Sequence, residues 1–410
     1  MSKRPEITAA EYEKRRQNVL KGLKDSIGVV FAGDGGAELH GSWRPDPNFE
    51  YLTGITDEPG AAIVFDPLQK IPSKQVTLFL RPLDPEVEKW DGARDFIDSK
   101  LVARYGIKSI FRTGRLPLVL KAAAAKARKL ACLQAFANHD QPVSPDLEVF
   151  TKIAQRIPGV SIVDKTELLA KLRAVKSAGE QACIKEAGRI TSLGFEAVLT
   201  TMKPGMNEFD VQELLEHQYR SNGSRGPAYN TIAGGGFNGT VLHYGANDQT
   251  LGDGDLIVID SGADYRGYAA DVTRTYPVNG RFTKRQKEIY SIVLKALDAS
   301  IAKVKAGCTF QQIDKAARDI INKAGYGDYF FHGIGHHLGL EVHDITPDQP
   351  LKKGAVITVE PGIYIADECI GVRIEDDVVV TKDGCINLTR SIPRSIASIE
   401  KMMQSKRAGG

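Results

Sequence analysis

Cysteine is scarce in this chain: five residues in 410, at 132, 183, 308, 369 and 385, odd in number and with no C-x-x-C pair. Such usage excludes a disulfide framework and fits buried or incidental thiols in a reducing cytoplasm, the expected location. Cys369 and Cys385 flank Glu375, but no bridge between them is expected. No run of about 18 apolar residues occurs, so no membrane span or membrane partner is expected. The N-terminus, MSKRPEITAAEYEKRR, lacks an apolar stretch and a small-residue cleavage site, which argues against a secretory signal. Charge of one sign is also missing: the formal net charge is +3, with no block of five or six like charges. That balance argues neither for nor against an acidic partner, and no nucleic-acid partner is called for. Finally, Ala233-Gly234-Gly235-Gly236 lacks the Lys-Ser/Thr that a phosphate loop requires. It reads instead as a flexible turn or a backbone passing close to a ligand.

What is present is a globular composition, 42% hydrophobic and 26% charged, in a chain long enough for two or three domains. Residues 7–24 have helical spacing behind a capping Thr8, and Ile27–Ala32 reads as a buried strand. Residues 47–66 read as a strand pair around the turn Asp57-Glu58-Pro59-Gly60, and Val76–Leu80 as another strand. Leu118–Phe136 is alanine-rich and helical by propensity. Alternating strands and helices make the first part an α/β domain. His40 and His139 stand alone there and read as loop or cap histidines. The boundary falls near Ala174-Val175-Lys176, giving domains 1–173 and 174–410. Thr166 is a candidate cap for the helical stretch that follows it, and Lys203-Pro204-Gly205 ends the next helix. Helices over Phe209–Tyr219, Gln286–Lys303 and Phe310–Lys323 complete the pattern, and the tail Lys401–Gly410 reads as a frayed terminus.

The second part contains a repeat. Gly254–Gly262, GDLIVIDSG, returns one hundred residues later as Gly354–Gly362, GAVITVEPG. Between 235–262 and 335–362, nine of 28 positions are identical, where average composition gives roughly two. Each copy is an apolar strand ending in a carboxylate, Asp260 or Glu360, with a second acid within hairpin reach, Asp271 or Glu375. A turn centred on Tyr265-Arg266 would set Asp260 opposite Asp271, and a longer one through Asp367-Glu368 would do the same for Glu360 and Glu375. Carboxylates so placed repel unless a cation or proton intervenes. Two such pairs related by a repeat point to a two-metal site. Four of the eight histidines, His332, His336, His337 and His343, fall within twelve residues, and His243 is a fifth. Carboxylates with imidazole make a hard, oxygen-rich site suited to Mn²⁺ or Mg²⁺-like ions, with Co²⁺ or Zn²⁺ as alternatives.

The runs YNTIAGGGFNGTVLHY, VIDSGADYRGYAADVTRTYPVNGRFT, GIGHHLGLEVHD, TVEPGIYI and GVRIEDDVVVT resemble the aminopeptidase P (Xaa-Pro aminopeptidase) family of pita-bread metallopeptidases. YEKRRQNVL and PNFEYLTGITDEPGAAIVF extend the resemblance to the N-terminal domain. The resemblance implies an α/β N-terminal domain followed by a pita-bread catalytic domain with internal pseudo-two-fold symmetry. It places Asp260, Asp271, His336, Glu360 and Glu375 as ligands of two divalent ions, most simply Mn²⁺, with Asp271 and Glu375 bridging. Catalytic roles fall to Glu360, His243 and His343, and substrate contacts to His243, His332, His343, Tyr364 and Arg373. His337 is expected in packing or at the rim. The implied reaction is hydrolysis of the bond before a proline at position two of a peptide, by a hydroxide shared between the metals. Glu360 would pass the proton to the proline nitrogen. A homodimer or homotetramer is implied, and Trp90 resembles a residue that reaches a neighbouring subunit's site. The loops Gly325–Phe331, Asp344–Asp348 and Ile365–Gly371 are shorter than in longer members, which bears on peptide length and subunit contacts.

Prolidase, restricted to Xaa-Pro dipeptides, shares the fold and the metals; the form of residues 229–244 favours aminopeptidase P. A metal-free amidinohydrolase of the creatinase type should have lost ligands, and all five are here. A non-catalytic pita-bread binding module is the reading from another class, opposed by the same ligands with His243 and His343. Methionine aminopeptidase lacks a matching N-terminal domain.

Overall fold

A computed structural model describes residues 4–34 and 43–405. His40 and the last residues of the tail lie outside that range. The chain forms two compact units, one spanning Ile7–Arg173 and the other running from Ala174 onward together with the residues before Ile7.

The first unit is built on a six-stranded sheet. Its strands are β1 (Ile27–Phe31), β2 (Ala62–Phe65), β3 (Val76–Leu80), β4 (Ser109–Arg112), β5 (Lys129–Cys132) and β6 (Ser161–Asp164), in the order β4-β3-β2-β1-β5-β6. The centre β1–β2–β3 is antiparallel and the flanks β4, β5 and β6 run parallel to their neighbours. Ile27, Val29, Val64, Phe79, Leu130 and Phe150 form its buried core. Helix Ala9–Leu23 starts where expected, with the Thr8 hydroxyl accepting from the Glu11 N–H.

Two expectations for this unit fail for identifiable reasons. The first arm of the strand pair in 47–66 is a helix, Pro47–Thr53. Asp46 caps it by accepting from the Asn48 and Phe49 amides, Pro47 opens it, and Gly54 closes it in the left-handed region. The alanine-rich helix stops at Ala127, because Arg128 adopts φ 64 and turns the chain into β5. Only the sheet reveals that strand. Thr166 is the first residue of its helix, and its N–H donates to the Asp164 carboxylate.

The second unit repeats one pattern twice. Helices Ala178–Thr201 and Glu208–Ser221 precede β7 (Ile232–Gly235), β8 (Leu256–Asp260), β9 (Asp264–Tyr265), β10 (Tyr268–Ala269) and β11 (Thr273–Pro277). Helices Lys284–Ile301 and Phe310–Lys323 precede β12 (Val356–Val359), β13 (Gly362–Ile365), β14 (Ile370–Arg373), β15 (Asp376–Val380) and β16 (Cys385–Asn387). The sheets are β11-β8-β7, β12-β15-β16 and the hairpins β9-β10 and β13-β14. All four helices open with a capping box. The Gly-rich run 233–236 is mostly strand β7 and not a flexible turn. A side chain at Gly234 would strike the Asn238 backbone at 2.8 Å, so glycine lets the following turn fold back over the strand.

Register decides where the acids go. In the second half Val359 faces Asp376 and Gly362 faces Arg373, so Glu360 lies opposite Glu375, as expected. In the first half the expected register is wrong by two residues. Tyr265 pairs with Tyr268 and Asp260 with Thr273, so the turn centres on Arg266-Gly267. Both central residues have positive φ, 54 and 83, which a tight two-residue hairpin demands and glycine supplies. Asp271 therefore falls across from Gly262, where a Cβ would sit 1.8 Å from the Ala270 carbonyl oxygen. By position in the repeat, Thr273 matches Glu375 and Asp271 matches Arg373.

The halves are clamped by Arg274, fully buried in β11. It pairs with Asp376 at 2.6 Å and donates to the Thr273, Glu375 and Ile392 carbonyls. Asp376 also accepts from Asn387, Thr389 and Arg394. Breaking a buried pair by removing one partner costs about 3–5 kcal/mol. Arg274→Met is expected to lower stability by that amount, read as a shift of the urea midpoint.

Candidate metal centre

Strand ends place the acids. Asp260 is the last residue of β8, Asp271 lies two residues before β11, Glu360 follows β12, and Glu375 immediately precedes β15. Hydrophobic strands such as Leu256–Asp260 and Val356–Val359 are buried along their length, so their terminal carboxylates emerge together at one edge. That edge lines a cavity of about 740 Å³, whose wall also carries His243, His332, His336, His343 and Arg373.

Asp271, His336 and Glu375 each offer a ligand atom, and these three atoms lie within 4.8 Å of one another. The His336 Nε2 lies 3.5 Å from Asp271 and 3.7 Å from Glu360. Its Nδ1 faces the His337 carbonyl oxygen at 3.0 Å. A carbonyl only accepts, so Nδ1 carries the proton and Nε2 is the nitrogen turned toward the acids. Asp260 completes the group, tied to the Arg373 guanidinium at 2.6 Å. Glu375 accepts from the Thr273 hydroxyl at 2.7 Å.

The electrostatics call for a cation. Burial first, with the Asp271 and Asp260 charges, pushes Glu360 up to about 7 against the pull of Arg373 and His336. Glu375 is raised well above the ordinary carboxylate range, by burial and then by Asp271, Glu360 and Asp260. Burial works against a charge on His336, yet the Asp271 hydrogen bond and the charges of Asp271 and Glu360 outweigh it and raise the ring to about 9. The metal-free site thus gathers protons where like charges crowd. A divalent cation would neutralise the same charges, and oxygen ligands with one imidazole and no thiolate suit a hard or borderline ion. The residues fit such a metal.

Around the acids the histidines differ. His332 donates from Nδ1 to the Gly333 carbonyl at 2.8 Å and meets the Tyr364 hydroxyl with Nε2 at 2.9 Å. Burial lowers its pKa to about 4, so the ring is neutral and Nε2 accepts. Tyr364 in turn accepts from Arg373 at 2.9 Å. A directed chain runs Arg373–Tyr364–His332. Tyr364 stands behind the cavity wall and Arg373 is engaged with Asp260. His343 is exposed and packs edge-on against His336, with ring centroids 4.1 Å apart. His243 is also exposed and lines the same cavity. His337 is buried against Phe310, away from the cavity.

Two residues escaped the sequence reading. Tyr229 is half-buried on the cavity wall, and its hydroxyl lies 2.6 Å from both Asp260 and Asp271. It opens the run YNTIAGGG, but a tyrosine in an apolar stretch gives no sign of bridging two distant acids. Asp377 is fully buried and accepts from the Asp271 N–H at 3.1 Å. It looked like one more acid in IEDD. Burial and then Asp271 hold it well above the ordinary carboxylate range.

Residues 182–382 match metallopeptidase family M24, and residues 12–131 match the N-terminal domain of aminopeptidase P. Relatives include a Xaa-Pro aminopeptidase of Haemophilus influenzae, 32% identical over 96% of this chain and 97% of that one. Another, of Escherichia coli, is 32% identical over 98% and 99%. Among solved structures, Pseudomonas aeruginosa aminopeptidase PepP superposes with a TM-score of 0.87 at 31% identity, covering 98% of this chain and 99% of that one. The architecture is thus an aminopeptidase P N-terminal domain followed by a pita-bread domain. With ligand chemistry, fold and relatives in agreement, this chain belongs to metallopeptidase family M24 and is a metal-dependent peptidase.

Proposed function

We propose that the chain is a Xaa-Pro aminopeptidase, removing the first residue of peptides that carry proline at position two. The observation that carries this reading is the meeting of Asp260, Asp271, His336, Glu360 and Glu375 in one cavity with three further histidines on its wall. Relatives named Xaa-Pro aminopeptidase support it across nearly the whole chain. The boundary at Arg173-Ala174 then separates an N-terminal domain from the catalytic one, to which the residues before Ile7 also belong. Asp260, Asp271, His336, Glu360 and Glu375 would hold two divalent ions, Mn²⁺ by preference, and Asp271 and Glu375 would be the carboxylates serving both. When bound, such ions lower the pKa of a coordinated water to near neutrality.

Each residue then has a task. Glu360, raised toward neutrality in the metal-free chain, takes the proton of the attacking water on its carboxylate and returns it to the departing proline nitrogen. His343 donates to the oxygen that gains negative charge, and His243 holds the peptide. His332, backed by Tyr364, forms the wall that receives proline, whose tertiary amide has no N–H to offer and must be recognised by shape. Asp260 faces the substrate's free amine. Free thiols at all five cysteines support action in a reducing cytoplasm. Assembly into dimers or tetramers completes the proposal.

Substrate length follows from charge. Among the described residues of the cavity wall, Arg373 is the sole lysine or arginine, and it is paired with Asp260. A Xaa-Pro dipeptide would bring its carboxylate into this acidic cavity with no unpaired lysine or arginine on the described wall to receive it. Longer peptides carry that charge outside.

Three outcomes are expected. Chelated protein should not cleave an Arg-Pro-Pro-type peptide, and added Mn²⁺ should restore cleavage in the native chain but not in Asp271→Ala. Glu360→Gln should lose roughly 10²–10⁴-fold in kcat, the usual contribution of a proton-transfer group. Cleavage of Xaa-Pro-Yaa should exceed that of Xaa-Pro when product release is compared side by side, and the reverse order would indicate prolidase. A folded chain that cleaves neither with any divalent ion would sink the proposal.

A further inference from the structure

His243 and His332 sit on segments with neither helix nor strand to hold them, yet both face the same cavity. The support comes from two helices at equivalent positions in the repeat, Glu208–Ser221 and Phe310–Lys323, each of 14 residues. One carries a buried anion toward the His243 segment. The other carries a cation toward the His332 segment.

Glu208 is fully buried and accepts four hydrogen bonds. Its Oε1 takes the Gly235 N–H at 2.7 Å and the Asn238 side-chain amide at 3.0 Å. Its Oε2 takes the Tyr244 hydroxyl at 2.7 Å and the Gln249 N–H at 3.1 Å. These donors lie on both sides of His243 and include its direct neighbour, so one carboxylate closes the whole segment. A carboxylate is the side chain with acceptors only. Glutamine would turn an NH₂ toward two of these donors and leave buried groups unsatisfied.

Arg318 meets the opposite need. Its guanidinium donates to the Phe330 carbonyl at 2.9 Å and the His332 carbonyl at 2.7 Å, while Nε is held by Asp314 at 2.6 Å. It also lies 4.4 Å over the Phe330 ring, whose other contact is the His332 ring, edge-on at 4.9 Å. A planar fork can grip two carbonyls and stack at once, which a lysine cannot do.

We propose that Glu208 and Arg318 are positioning residues, holding His243 and His332 against the bound peptide from outside the cavity. The proposal rests on the peptidase reading above. The charges are opposite because one segment presents N–H and O–H groups and the other presents carbonyls. A displacement of about 1 Å in a substrate-holding group lowers turnover on the order of 10²-fold.

The test uses the full chain with Glu208→Gln, Arg318→Met and Arg318→Lys. Three quantities are read: Mn²⁺ affinity by calorimetry, KM and kcat on a Xaa-Pro-Yaa peptide, and histidine ring signals by NMR of the metal-free protein. Glu208→Gln should move the His243 signal and leave His332 in place; Arg318→Met should do the reverse. Both should lower kcat/KM by about 10²-fold with unchanged Mn²⁺ affinity, and Arg318→Lys should behave like Arg318→Met. Should Glu208→Gln not fold, Tyr244→Phe, which removes one of the four donors, should shift His243 in the same direction by less. Folded variants with native histidine signals and native kcat/KM overturn the proposal. So do variants that disturb both histidines and Mn²⁺ affinity alike, since that marks a general loss of structure. A native chain without peptidase activity would remove the peptidase reading, while the NMR comparison would still decide whether each residue holds its own histidine.

Discussion

Crowded negative charge is the constraint on which the second unit depends. Asp260, Asp271, Glu360 and Glu375 meet in one cavity, and Asp376 and Asp377 lie fully buried behind them. Like charges at these separations cannot all be ionised in a desolvated space without compensation. Arg274 compensates Asp376, Arg373 compensates Asp260, and the Tyr229 hydroxyl lies between Asp260 and Asp271. Each of these contacts is directional, so each leaves a defined place for the cation that the remaining charge calls for.

The same constraint explains how the repeat has diverged. Two equal hairpins would deliver two equal pairs of acids. Instead Glu375 takes the position that Thr273 has in the first half, and Arg373 the position of Asp271. The Thr273 hydroxyl donates to Glu375, and the Arg373 guanidinium reaches back to Asp260. An asymmetric pair of halves thus binds itself together at the site, where a symmetric pair would repel.

Much of the second unit was legible because its pattern is local. The one-hundred-residue repeat, the helical spacing and the apolar strands ending in acids are each written in neighbouring residues. The hairpin register was half legible. Gly267 signalled the tight turn, and a centre at Arg266-Gly267 follows once positive φ is required at both positions. In the first unit, Pro47–Thr53 was misread because apolar residues over so short a span fit either a strand or a helix. The Asp46-Pro47 cap was the overlooked signal. Strand β5 was lost for want of one: Arg128 is not a residue that announces a left-handed turn.

By itself the sequence singled out the candidate acids and histidines, since carboxylates at apolar strand ends and a dense histidine run are composition and spacing. It determined the two-part plan as well, through the change of pattern near Ala174. Tertiary structure alone decided how those residues are held. Tyr229 bridges acids 31 and 42 residues away, Asp377 holds Asp271 from 106 residues away, and Tyr364 stands between Arg373 and His332. Such contacts depend on how sheets and helices pack, so no local pattern encodes them. The candidate acids and histidines belong to the chain, and the geometry that gathers Asp271, His336 and Glu375 around one point belongs to the fold.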